Sequence, residues 1–164
     1  MKILICGDVH AGKSTLIRRV IEHMDGKMCG YITKRVECPD GVSRVYLHPY
    51  GAPEESTVII TVKDGVYEGR PELLDTLGVR YLSDIPEGSA VVMDEIGTLE
   101  SRAPEFQRAV MRVLSGNYTV LASVKAQNTD FLRSVRRHPD CELYIITPEN
   151  RDRLFEQIVS EYGI

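Results

Sequence analysis

The chain is predicted to be an α/β protein of three layers, α/β/α, with a mostly parallel central sheet and an antiparallel strand section after the first helix. Three observations predict it. Residues 7–14 form a glycine-containing loop set between an apolar strand-like run and a helical pattern. The second half alternates short apolar runs with helical repeats, as parallel strands covered by helices do. Between the two, residues 28–70 offer consecutive strand signals separated by turns, without a helix. A length of 164 residues suits one domain, 1–164, with the antiparallel section built into it.

Taken in order, Ile3-Leu4-Ile5-Cys6 is the first strand. In the helix after the loop, Leu16, Ile17, Val20, Ile21 and Met24 fall on one face, and Gly26 stands where a C-terminal cap belongs. Residues 28–36 and 42–50 form a hairpin around Pro39-Asp40-Gly41, with Val45 and Leu47 alternating in its second arm. Thr57-Val58-Ile59-Ile60-Thr61-Val62 is another strand, closed by Lys63-Asp64-Gly65. Residues 71–83 place Leu73, Leu74, Leu77 and Tyr81 at helical spacing behind Pro71, although Gly78 weakens the pattern. Ala90-Val91-Val92-Met93 is a buried strand, and residues 104–114 a helix with Phe106, Ala109, Val110, Val113 and Leu114 on one side. A strand at 118–124, a short helix at 130–137, a strand at 143–146 and a helix at 148–162 complete the chain.

Bulk properties narrow the function. The net charge of −4 gives no general attraction to nucleic acid or to an anionic membrane surface. No apolar run approaches the ~20 residues of a membrane span, and the N-terminus runs directly into a strand, so a cytoplasmic location is expected. Cys6, Cys29, Cys38 and Cys141 form no Cys-x-x-Cys pair. Cys6 and Cys141 lie in apolar runs and read as small buried hydrophobes.

The loop carries chemistry. Gly7-Asp8-Val9-His10-Ala11-Gly12-Lys13-Ser14 is a complete G-x-x-x-x-G-K-S/T phosphate-binding motif, continued by Thr15. Gly7 permits a tight exit from the strand, and Gly12 lets backbone approach the phosphates. The loop N–H groups and the helix N-terminus direct positive partial charge at an anion. Lys13 adds a full charge for the β- and γ-phosphates, and Ser14 a hydroxyl ligand for Mg²⁺. Asp8 and His10 are unusual here, and both are expected to face solvent.

A second feature is Asp94-Glu95, two carboxylates delivered by an apolar strand. The C-terminal edge of such strands is where open α/β sheets place ligands. Asp94 is expected to organise Mg²⁺, and Glu95 to orient a water and accept its proton. Further on, Asn150 and Arg151 follow the last strand, where a nucleotide base is often met. Arg151 would stack on the base and Asn150 contact it; capping by Asn150 or Asp152 is the alternative. Arg133, Arg136 and Arg137 read first as a solvated basic face and second as a source of an arginine finger. Ser123 and Lys125 read first as surface residues and second as sensors of the γ-phosphate.

The chain resembles the cancer-related nucleoside-triphosphatase family of bacteria, archaea and vertebrates. The matching segments are the phosphate loop, Gly30-Tyr31-Ile32-Thr33, Val92-Met93-Asp94-Glu95-Ile96-Gly97-Thr98-Leu99-Glu100, and Thr147-Pro148-Glu149-Asn150-Arg151-Asp152. They span nearly the whole chain. The resemblance implies a P-loop fold and Mg²⁺-dependent hydrolysis of ATP, GTP and other nucleoside triphosphates with little base preference. Val9-His10 stands where the family usually has Pro-Gly, and Thr98-Leu99 where it has Lys-Met or Pro-Met. Two other functions fit the residues: a nucleotide or small-molecule kinase with residues 126–137 as its lid, and a nucleotide-gated binding module using the strands at 28–70. No protein partner is indicated.

Overall fold

The computed structural model describes residues 1–164. Strand β1 (Lys2–Gly7) leads through the loop into α1 (Lys13–Ile21). Four strands follow: β2 (Met28–Glu37), β3 (Ser43–Pro49), β4 (Thr57–Lys63) and β5 (Val66–Gly69). A helical segment comes next, with α2 (Pro71–Leu73), a π-helical turn (Leu74–Gly78) and α3 (Val79–Tyr81). The remainder is β6 (Ala90–Ile96), α4 (Pro104–Ser115), β7 (Thr119–Lys125), α5 (Asp130–Arg136), β8 (Glu142–Ile145) and α6 (Arg151–Tyr162).

All strands join one sheet in the order β5-β4-β3-β2-β6-β7-β1-β8. β2, β6, β7, β1 and β8 run parallel, and β3, β4 and β5 extend the sheet antiparallel from β2. The expected three layers and antiparallel section are both present. Because helices cover both faces, alternate residues of one strand are buried on opposite sides. Ile3 and Ile5 of β1, Val92 of β6 and Leu121 of β7 meet Leu16, Ile17, Val20, Leu154 and Ile158 of α1 and α6. The intervening Leu4, Val91, Met93, Val120 and Ala122 pack with Leu74, Phe106, Val110 and Leu132 on the other face. Each fully buried side chain of this size contributes about 1.5–3 kcal/mol.

Some boundaries differ from expectation, each for a local reason. α1 stops at Ile21, capped at Glu22, and Gly26 (φ 110°) serves the turn into β2 instead of the helix cap. β5 adds a hairpin through Asp64-Gly65, both with positive φ (49° and 76°), the two-residue turn that matches strand twist. Gly78 has a packing reason: a Cβ there would stand 2.6 Å from the Phe106 ring. Beside it, Asp75 accepts a hydrogen bond from the Phe106 amide (2.9 Å), satisfying a free N–H in the first turn of α4. The last helix begins at Arg151, because residues 147–150 form a separate turn.

Candidate active site

Parallel strands carry the site to one edge. β1 ends at Gly7, β7 at Lys125 and β6 at Ile96, and Gly7 lies beside Lys125 in the strand register. The phosphate loop therefore opens next to the strand ends that carry Asp94, Glu95, Ser123 and Lys125.

Within the loop, His10 (φ 65°) and Gly12 (φ 100°) both adopt left-handed backbone. For His10 this is a conformation non-glycine residues rarely take. Asp8, Val9 and His10 are exposed, whereas Ala11 and Lys13 are buried. Gly7 is closed in, since a Cβ there would stand 2.5 Å from the Ile146 carbonyl oxygen. Lys13 Nζ donates to the carbonyls of Gly7 (2.9 Å) and Asp8 (2.8 Å), so its ammonium is curled back onto the loop. Thr15 is exposed on the first turn of α1.

Asp94 is the junction. Ser14 Oγ donates to Asp94 Oδ1 at 3.0 Å, linking α1 to β6, and Ser123 Oγ donates to the same oxygen at 2.6 Å. Burial raises the Asp94 carboxyl above its ordinary pKa, opposed by the two serine hydroxyls, while neighbouring Glu95 adds to the rise. Ser123 is fully buried, which overturns its first reading as a surface residue. Lys125 is no free surface lysine either. Its Nζ pairs with Glu95 Oε2 at 3.2 Å, both side chains being partly covered.

Sequence reading assigned no role to Glu100, which lies on a 3₁₀ turn (Leu99–Arg102) that follows β6. It is 5% exposed, and burial pushes its carboxyl up to about 7, with Lys125 and the Gly97 amide pulling the other way. Tyr31 of β2 is fully buried nearby and donates to the Glu95 carbonyl at 3.4 Å. A carboxylate amid the apolar Ile96, Leu99 and Ala103 was the available signal for Glu100.

On the other side of the loop, Arg151 lies directly over Gly12. A Cβ on Gly12 would stand 3.2 Å from Arg151 Cδ and Nε. Asn150 is engaged in its own turn: Oδ1 accepts from the Thr147 amide (2.8 Å) and Nδ2 donates to the Ile145 carbonyl (2.9 Å). It gives α6 no side-chain cap. Nor does Asp152 fill that position; it pairs with Arg19 at 2.6 Å.

The arginines of α5 are occupied. Arg136 donates to the carbonyls of Lys125 (2.7 Å) and Gln127 (3.0 Å), and Arg133 pairs with Asp130 and Asn128. With Phe131, Leu132 and Val135 buried, α5 is packed onto the body and is not a detached lid.

This fold and site define a P-loop nucleotide-binding enzyme of the α/β class. A family model described as NTPase matches residues 2–159, and the chain belongs to that family. It is similar to the protein named nucleoside-triphosphatase THEP1 of Methanothermobacter thermautotrophicus, 28% identical with 99% of this chain and 97% of the relative covered. The protein of the same name from Ignicoccus hospitalis is 30% identical over 94% and 92% of the two chains. Two solved structures share the fold. The crystal structure of THEP1 from Aquifex aeolicus superposes with a TM-score of 0.76 at 24% identity, covering 98% of both chains. The solution structure of a human cancer-related nucleoside triphosphatase gives 0.74 at 21%, covering 98% of this chain and 96% of that one.

Proposed function

We propose that the chain hydrolyses nucleoside triphosphates to the diphosphate and phosphate, with Mg²⁺ as cofactor and broad tolerance of the base. The observation that carries the reading is the Ser14–Asp94–Ser123 junction, which joins the phosphate loop to the acidic strand end that holds Glu95.

The loop amides and Lys13 hold the β- and γ-phosphates, Lys13 exchanging the two loop carbonyls for phosphate oxygens. Ser14 Oγ and Asp94 Oδ1 converge to 3.0 Å and are hard oxygen donors, the kind that Mg²⁺ takes from protein alongside substrate phosphates. When bound, the ion supplies charge stabilisation at the phosphates. Its presence also offsets the cost of a buried carboxylate at position 94. Glu95, one residue further and partly open to solvent, orients the attacking water and accepts its proton. Arg151, whose side chain lies against Gly12, offers a guanidinium face to a base or a positive charge to the phosphates. Stacking accepts any ring, which supports low base selectivity. Asn150 contributes by shaping the turn that carries Arg151. A cytoplasmic site of action agrees with four unpaired cysteines; no helix is long and apolar enough to cross a membrane.

The deciding experiment is phosphate release from ATP, GTP, CTP and UTP, with and without Mg²⁺ and with candidate phosphoryl acceptors. Mg²⁺-dependent release from all four without an acceptor is the expected result. Release that requires an acceptor would make the protein a kinase. Glu95→Gln should bind triphosphate yet lose ~10²–10⁴ in turnover, and normal hydrolysis by that variant would remove Glu95 as the base. Lys13→Ala should abolish triphosphate binding.

A further inference from the structure

Lys125 is the one cation near the site whose charge is spent on the residue assigned as base. It closes β7, with Gly7 of the phosphate loop beside it in register on one side and β6 on the other. Its Nζ stands 3.2 Å from Glu95 Oε2. The position is held by the packing of its stem. A Cβ on Gly97 would fall 3.1 Å from Lys125 Cδ, 3.3 Å from Cε and 3.2 Å from Glu100 Oε2. The stem thus lies across a glycine that has room for it, with a buried carboxylate on the far side.

We propose that Lys125 recognises the γ-phosphate and that the Lys125–Glu95 pair is a gate on the base. It rests on the assignment of Glu95 as the base. With no nucleotide, the ammonium occupies Glu95, and a carboxylate so engaged is a poor acceptor for a water proton. A γ-phosphate arriving beside Gly7 brings more negative charge than a single carboxylate and competes for Nζ. The lysine transfers to the phosphate and Glu95 is released to its water. A nucleoside diphosphate ends short of this position and leaves the pair intact. The enzyme thereby couples exposure of its base to the presence of a hydrolysable phosphate.

The test compares Mg²⁺ complexes of ADP and of the β,γ-imido analogue of ATP by calorimetric titration. Lys125→Met keeps the stem and removes the charge. It should lose about tenfold or more in affinity for the imido analogue, the scale of a charge-assisted hydrogen bond, with ADP affinity unchanged. Lys125→Arg should retain most of the preference. Glu95→Gln frees Lys125 and should bind the imido analogue at least about threefold more tightly than wild type, again without change for ADP. Equal losses for both nucleotides in Lys125→Met, or no loss, would overturn phosphate recognition. Unchanged imido-analogue affinity in Glu95→Gln would overturn the gate. The base assignment is judged separately, by the turnover of Glu95→Gln with Lys125 in place.

Discussion

Single residues set the chemistry of this edge, and Glu100 is the most informative. Its folded pKa of about 7 lies above the ordinary 4.5 because burial penalises the charged form. A raised carboxyl binds its proton more tightly when folded, so its contribution is fully present below about 4.5. It is lost as pH rises through about 7 and is level above that. The shift amounts to about 3 kcal/mol. Thermal unfolding of the unliganded protein should therefore show stability falling from pH 5 to pH 8. Glu100→Gln should make that slope shallower, the raised Asp94 carboxyl contributing the remainder with the same sign; an unchanged slope would mean that Glu100 is not responsible. Gly30 makes a second residue-scale case. It has φ 102°, and a Cβ would stand 2.1 Å from the Val92 carbonyl oxygen. Gly30→Ala is expected to cost about 3 kcal/mol or more, combining backbone strain with a clash against β6. Denaturant titration measures it. Gly7, Lys13, Ser14, Asp94 and Glu95 were legible as sequence because their chemistry is local to two short motifs. Ser123 and Lys125 read first as surface residues and only second as phosphate sensors, and Glu100 had no role, since each acquires meaning only from a neighbour on another strand or turn.

At the scale of elements, the helical patterns and apolar runs located all the major helices and the strands of the parallel half. What they missed was decided by tertiary contacts. The helical stretch after β5 opens into a π turn where Gly78 meets Phe106 and Asp75 caps α4, and spacing alone does not reveal such a partner. The turn before α6 is similar. Asn150 and Asp152 have the residue types of helix caps, yet one ties the turn to Ile145 and Thr147 and the other pairs with Arg19. Arg19 also lies 4.0 Å above the Phe155 ring, so α1 and α6 are fastened side by side just behind the phosphate loop. This docking holds Arg151 over Gly12. Arg151→Ala should weaken binding of ATP, GTP, CTP and UTP alike, by about tenfold, with thermal stability unchanged because the side chain is exposed. Selective loss for one base would point to a directional contact instead of stacking. Asn150→Ala should differ: losing two side-chain hydrogen bonds costs about 1–2 kcal/mol of stability, and affinity falls as a consequence of the displaced turn.

For the whole molecule, the strand order explains why one edge holds everything. β1 lies between β7 and β8, and β7 separates it from β6, so the loop after β1 and the acids of β6 face each other across one intervening strand. That strand supplies Ser123 and Lys125. The antiparallel β3–β5 section extends from β2, away from β1, and adds none of the residues assigned here to phosphate or water. A ligand that joins loop, β6 and α6 binds only the folded chain, and must raise its stability by mass action. At a nucleotide concentration 100 times Kd the gain is about 2.7 kcal/mol. For a chain of this size that corresponds to about 5–10 °C in Tm. Mg²⁺ and ADP together should give the full rise in the wild type, and Lys13→Ala should give none at the same concentration. Asp94→Asn discriminates further. It removes the buried charge expected to hold Mg²⁺ while leaving an oxygen to accept from Ser14 and Ser123. Its ADP-dependent rise should therefore be the same with Mg²⁺ as with excess chelator, whereas the wild-type rise should shrink on chelation. A wild-type rise indifferent to chelation would remove Mg²⁺ from the assignment of Ser14 and Asp94, while leaving phosphate binding by the loop intact.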